Sequence, residues 1–232
     1  MHQPVLLDLF CGGGGAGVGY ASAGFSVVGV DLDDHPEYPF AFYRADALEI
    51  LPYLVERYRP VAIHASPPCQ ASSPTSAFRR RHTMRNPSTA DPVNLIPATR
   101  DALDATGLPY VIENVAYHRT GLRDPLTLCG ASFGLIVYRH RWFEFGGGWV
   151  KPPAPEHRPH SRLTMRNGYL PDADRPMMTI TGRNGHHSKA WVRAAANAMG
   201  TYWLANNLNS VCEAIPPAYT QYIGSAFMER DR

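Results

Sequence analysis

The chain has 232 residues, 44% of them hydrophobic, and a formal net charge of +2. That length suits one α/β domain or one domain with a small appendage, and the apolar fraction is enough for a core, which excludes global disorder. A charge this small names no partner, no apolar run reaches the about eighteen residues that span a membrane, and the start MHQPVLLDLF lacks the basic segment and cleavage site of a signal peptide.

Residues 4–10 form an apolar run that ends at a glycine-rich turn and reads as a buried strand. Residues 15–24 alternate small and apolar side chains, as a helix packed closely on a sheet would. Residues 25–31 form a second buried strand, ending in Asp31, and residues 40–45 a third. Residues 46–58 place Leu48, Leu51, Leu54 and Val55 at near-helical spacing. Residues 60–65 make a further strand that runs straight into Ser66-Pro67-Pro68-Cys69-Gln70. Residues 71–94 are rich in Ser, Thr, Arg and Pro, and read as a long loop of the kind that serves as a functional lid. A helix over 95–107 precedes a strand over 109–115, which ends in Glu113-Asn114. Strands alternating with helices imply βαβ units and a parallel sheet.

After residue 145 the character changes. Segment 150–188 is rich in Gly, Pro, Arg and His, with one apolar patch over 177–180, and reads as a small subdomain or an extended insertion. Residues 190–204 regain helical character. Pro216-Pro217 marks a final helix start, with Tyr219, Tyr222, Ile223 and Phe227 on one face. The expected organisation is a catalytic and cofactor-binding part over 1–145, a short target-recognition region over 146–190, and helices over 191–232 that return to the catalytic part.

Gly12, Gly14 and Gly17 satisfy GxGxxG between a strand and a helix, where glycine lets the backbone approach a ligand and the helix pack closely. Asp31, at the next strand end, is placed to accept from ribose hydroxyls. No Lys-Ser/Thr follows the glycines, which disfavours a P-loop. Phe10 is either a platform for an adenine ring or core. Asp46 either binds an adenine amino group or caps a helix with Glu49 three residues on, and the two roles are compatible. Leu32, Ala47 and Pro68 flank these positions and complete the cofactor-binding candidates.

Cys69 sits just past a strand, behind two prolines that fix the backbone. Open α/β sheets bind ligands beyond the carboxyl ends of their strands, where Cys69, Asp31 and Glu113 converge. A reactive thiol needs nearby positive charge or a helix N-terminus, and the basic residues over 139–141 supply the former. Glu113 is either hydrogen-bonded structure or an acid whose burial keeps it protonated enough to donate. Asn114 holds the strand end. Arginine gathers at Arg79, Arg80, Arg81 and Arg85 with His82, at Arg139 and Arg141 with His140, and at Arg158, Arg162 and Arg166. These are phosphate-facing surfaces or solvated loops. The cysteines Cys11, Cys69, Cys129 and Cys212 lie far apart with no CxxC pair. That argues against a zinc knuckle or disulfide scaffold and fits a reducing cytoplasm. The spacing of His157, His160, His186 and His187 gives no support to a metal cluster, and none is expected.

These residues together resemble the DNA cytosine C5-methyltransferase family, in the form of a short, phage-like member. Asp8-Leu9-Phe10-Cys11-Gly12-Gly13-Gly14-Gly15 is similar to its first motif, Val30-Asp31 to its second and Asp46 to its third. Pro67-Pro68-Cys69-Gln70, with Ser73 beyond, resembles its nucleophile motif. Glu113-Asn114-Val115 resembles its ENV motif, Arg139-His140-Arg141 its RxR motif, and Ala214-Ile215-Pro216-Pro217 its last. The likeness covers nearly the whole chain except roughly 150–190. It implies a Rossmann-like fold with a small target-recognition insertion, and S-adenosylmethionine as cofactor. It also implies a monomer acting on double-stranded DNA in a prokaryotic or phage-infected cytoplasm.

In that family's chemistry the base is flipped out, Cys69 attacks C6, Glu113 hydrogen-bonds the ring, and Arg141 and Arg139 bind its carbonyl or phosphate. Departures are Cys11 after Phe10, Val137 where a Gln is usual, and a short recognition region. Cys212-Glu213 stands where Gly-Asn is usual, with Asn209-Ser210-Val211 as an alternative alignment. Arg183, Asn184, His186 and His187 are either base or phosphate contacts or a polar loop. Two other readings remain: an RNA cytosine methyltransferase, and a non-catalytic nucleic-acid-binding subunit.

Overall fold

The computed structural model describes residues 3–68, 94–117, 120–157, 164, 166–181 and 187–229. In chain order its strands are β1 (Val5–Leu9), β2 (Ser26–Asp31), β3 (Ala41–Arg44), β4 (Ala62–Ala65), β5 (Tyr110–Val115), β6 (Leu126–Leu128) and β7 (Arg141–Gly146). Its helices are α1 (Gly15–Ser22), α2 (Ala47–Tyr58), α3 (Ile96–Thr106), α4 (Lys189–Met199), α5 (Leu208–Glu213) and α6 (Pro217–Glu229). The strands make one seven-stranded sheet in the order β3-β2-β1-β4-β5-β7-β6. β3, β2, β1, β4 and β5 run parallel, and β7 enters antiparallel between β5 and β6.

The parallel strands are apolar without alternation because both faces of the sheet are covered. Successive residues point to opposite faces. Leu6, Val27 and Val111 thus join Tyr20, Phe143, Tyr219 and Ile223 beneath α1 and α6. Leu7, Leu9, Val28, Val30, Ile63 and Ile112 join Leu51, Leu54 and Leu103 beneath α2 and α3. The helices start and stop where their sequences direct. Asp46 caps α2 by accepting from the Leu48 and Glu49 amides at 2.9 and 3.2 Å, and Ser188 caps α4 by accepting from Trp191 N at 3.1 Å.

Three differences from the sequence expectation have local causes. The helix expected over 190–204 ends at Met199, because Gly200 takes the left-handed conformation (φ 74°); a 3-10 turn over Tyr202–Leu204 follows. Helix α5, unanticipated, is capped by Asn207, which accepts from Ser210 N at 3.1 Å. Strands β6 and β7, also unanticipated, extend a sheet expected to be parallel, β7 running antiparallel to the rest and β6 in the common direction. The apolar patch over 177–180 packs away from the sheet: Met178 and Ile180 join Val137, Trp191, Val192, Met199, Leu204 and Val211 in a third cluster. Among the described residues no helix is long and apolar enough to cross a membrane.

Candidate active site

After β1 the chain runs to β2 on one side of the sheet, and after β3 it crosses to β4 on the other, so a crevice opens between β1 and β4 at their carboxyl ends. The glycine turn lies there. Gly12 has φ 49°, and a Cβ at that position would meet nothing within 4 Å, so its backbone faces open space. Phe10 takes a left-handed conformation (φ 56°), which costs about 1 kcal/mol or more in a residue with a side chain. Asp31 holds the turn: its carboxylate accepts from Gly12 N at 2.9 Å and Asp33 N at 3.1 Å, and His35 Nε2 lies 3.6 Å away. Burial pushes the Asp31 carboxyl up, but the His35 ring and those two amides outweigh it and hold it below the usual range. Leu32 is 67% exposed beside this turn, an apolar side chain offered to solvent at the crevice edge.

Other cofactor candidates are placed differently. Asp46 is exposed and caps α2 through one carboxylate oxygen. Ala47, the first residue of α2, is buried. Gly14 begins α1 with φ 85°, and a Cβ there would press on Pro39 and Tyr38. Gly17 faces Asp8 and Tyr38 rather than open space. An open backbone turn, an acid anchored beside it and an exposed apolar side chain make a fitting cradle for an adenosyl group. Phe10, Gly12, Asp31, Leu32 and Asp46 would hold it, with Pro68 exposed at the exit of β4.

A second group stands at the ends of β4, β5 and β7. Glu113 on β5 is buried, and Arg141 Nε lies 2.9 Å from its Oε1, out of line for a hydrogen bond, so charge holds the pair. Burial pushes the Glu113 carboxyl up; Arg141, Arg139 and the Ser66 hydroxyl pull it back without cancelling the rise. Asn114 donates to Pro67 O at 2.9 Å and accepts from Val115 N at 3.0 Å, tying the Pro67-Pro68 exit of β4 to the end of β5. Arg139 is buried, and its guanidinium donates to Ile180 O at 2.9 Å and Cys212 O at 2.6 Å, joining the third cluster to α5. Burial and the neighbouring Arg141 push it down to about 9.

Several neighbours escaped the sequence reading. His64 on β4 bridges Tyr20 OH at 3.1 Å and Ser66 Oγ at 2.9 Å behind Glu113. Its signal was an imidazole inside an otherwise apolar strand. Trp203 donates to Gly13 O at 2.9 Å, and Asn207 donates to Glu37 Oε1 at 2.7 Å. Asn209 and Glu213, the two alternatives for the last motif, are both exposed. His187 stacks on Trp191 at 4.2 Å between ring centres, and Arg166 lies 6.0 Å from the centre of the Tyr169 ring. Cys69, the arginines at 79–81 and 85, His82, Arg158, His160, Arg162, Arg183, Asn184 and His186 lie outside the described residues, as does the expected lid except for Asn94.

The sheet order, the single antiparallel β7 and the crevice at the β1 and β4 ends are those of the Rossmann-like, S-adenosylmethionine-dependent methyltransferases. In both sequence and fold the chain is similar to the DNA cytosine-5-methyltransferase family. It is 28% identical over 180 residues to the type II methyltransferase M.AgeI of Thalassovita gelatinovora, a match over 65% of this chain and 42% of that protein. The chain thus spans less than half the length of that curated relative. Among solved structures it matches a candidate DNA modification methyltransferase encoded within an E. coli prophage (TM-score 0.57, 14% identity, 97% of this chain and 99% of that one). It also matches the S. pombe Dnmt2 methyltransferase (TM-score 0.61, 12% identity) and the Entamoeba histolytica methyltransferase EhMeth (TM-score 0.58, 11% identity), each over 100% of both chains. At such identities the structural matches establish the fold. No protein-family model matches the chain. The likeness implies S-adenosylmethionine as cofactor.

Proposed function

We propose that the chain methylates C5 of cytosine in double-stranded DNA through a covalent bond between Cys69 and C6 of the base. The observation that carries this reading is the pairing of buried Glu113 with Arg141, joined by Asn114 to the backbone that leads into Cys69. When bound, S-adenosylmethionine supplies a methyl group on a positively charged sulfur.

The protein's own groups do the rest. The Cys69 thiolate adds to C6, breaking the C5–C6 π bond and passing electron density to C5 and around the ring toward N3. Glu113, inclined by burial toward its protonated form, donates to N3 where that density gathers, and Arg141 attends the base carbonyl or a flanking phosphate. After the methyl group has joined C5, a base or water removes the C5 proton and the Cys69–C6 bond breaks. The cytosine must leave the stack for any of this, because its ring faces are covered in duplex DNA. Arg139 acts as a brace that positions Arg141. A type II methyltransferase relative and a prophage-encoded structural neighbour favour DNA as the substrate and a restriction-modification setting.

The test is trapping on duplexes that carry 5-fluorocytosine in many sequence contexts, with cofactor present. The fluorine cannot leave as a proton does, so the expected result is a covalent adduct that maps to Cys69 and is absent from Cys69→Ser. Cys69→Ser should keep cofactor binding nearly intact while turnover is lost. Turnover persisting in that variant would remove Cys69 from the chemistry. Adducts on RNA alone would redirect the substrate assignment.

A further inference from the structure

Three side chains from separate parts of the chain converge away from Glu113 and Arg141's paired groups. Cys129 follows β6, His140 immediately precedes β7, and His157 closes the run Pro152-Pro153-Ala154-Pro155-Glu156. One ligand atom from each, the Cys129 sulfur and a ring nitrogen of both histidines, all lie within 4.8 Å of one another. The two Nε2 atoms are 3.2 Å apart.

That distance suits either a ring-to-ring hydrogen bond or two nitrogens sharing a metal. Nitrogens each ~2.0–2.1 Å from a tetrahedral zinc lie about 3.3 Å from one another. The sulfur decides between the two readings. A pair of imidazoles bonded to each other has no use for a thiol aimed at the same point, whereas a metal does. Burial raises the Cys129 thiol, and the Ala131, Arg139 and Gly130 amides pull it back without cancelling the rise. The turn just after Cys129 depends on Gly130, where a Cβ would lie 2.3 Å from Val137 O.

We propose that Cys129, His140 and His157 bind a zinc ion, with water in the fourth position. Two imidazoles and a thiolate are the donors zinc takes, and they are too soft for magnesium or calcium. A cavity of about 640 Å³, lined by His140, His157, Thr127 and Pro155 among others, gives the ion a path from solvent. The ion would pin the proline-rich segment over 151–157 to the turn that delivers Arg141. Sequence spacing concealed the site, because its ligands are eleven and seventeen positions apart (from 129 to 140 and 140 to 157) and converge only through the β6–β7 hairpin.

The full chain, made in zinc-supplemented medium without a metal-affinity tag and purified without chelator, is assayed for metal by mass spectrometry. About one zinc per chain is expected. His157 is exposed, so His157→Ala should fold normally and bind zinc at least about tenfold more weakly in competition with a chromophoric chelator. Cobalt(II) added to apo-protein should give a thiolate charge-transfer band that is absent in Cys129→Ser. A folded wild-type chain that carries no zinc and takes up none on addition would overturn the proposal. So would zinc content unchanged in both variants. None of these readouts involves methyl transfer, so they stand or fall apart from the proposed activity.

Discussion

Asp31 anchors the glycine turn after β1, and on the proposed function it would also meet the cofactor. Its carboxylate organises the turn through Gly12 N and Asp33 N. Asp31→Ala should weaken S-adenosylmethionine binding by about 1–3 kcal/mol, roughly five- to 150-fold in Kd, as read by titration calorimetry. An unchanged Kd would remove Asp31 from the cofactor site. At this scale the sequence was informative about kinds of residue and less so about their use. Glu113 and Asn114 were legible as the end of a strand, whereas the ion pair of Glu113 with Arg141 was not. The buried network of His64, Tyr20 and Ser66 behind them was illegible, because a hydrogen bond between residues 44 positions apart leaves no periodic trace.

Between elements, the site depends on how β7 is anchored, since β7 begins with Arg141. Arg100 on α3 makes a two-pronged ion pair with Glu144 on β7, at 2.6 and 2.7 Å, and Glu144 also accepts from Arg123 N at 2.6 Å. Both side chains are almost fully buried. Removing one partner strands a buried charge, so Arg100→Leu should cost about 3–5 kcal/mol in urea unfolding. Replacing Glu144 by Leu as well should restore part of that loss. A single variant as stable as the parent would show that the pair is not holding α3 to β7. The glycines of α1 act at the same scale: a Cβ on Gly19 would lie 2.0 Å from Thr220 Oγ1 and 2.1 Å from Pro217 O. The close packing of α6 on α1 thus needs the small residues expected over 15–24.

For the whole molecule, two fully buried groups on β1 and β4 set how stability follows pH. Burial pushes the Asp8 carboxyl up to about 8, against the hydrogen bond donated by Tyr38 OH at 3.1 Å. The folded chain therefore holds a proton that the unfolded chain releases near 3.8; this stabilisation is complete below 3.8 and is lost as pH rises through about 8. His64 works in the other sense. Burial lowers it from 6.5 to about 3, so its contribution is present above 6.5 and is lost as pH falls toward 3. The two slopes oppose one another between 3.8 and 6.5; above 6.5 the Asp8 slope remains, joined by that of His35, which its pairing with Asp31 raises above 6.5. Stability should therefore fall between pH 6.5 and 8, and Asp8→Asn should make that fall shallower by at most about 1.4 kcal/mol per pH unit. Thermal melts across this range test it; a flat wild-type profile would mean Asp8 is ionised in the folded chain.

The sequence by itself determined the order of strands and helices as far as Glu113, the glycine turn with its acid, and the likeness to a methyltransferase family. These are local signals: apolar runs, capping residues and short motifs whose parts act on neighbours in the chain. The tertiary structure decided which groups meet. It inserted β7 antiparallel beside β5 and so brought Arg141 to Glu113. It turned Arg139 inward as a brace against Ile180 and Cys212. It drew Cys129, His140 and His157 to one point. Such contacts depend on sheet register and burial, which arise only when distant segments compete for the same core.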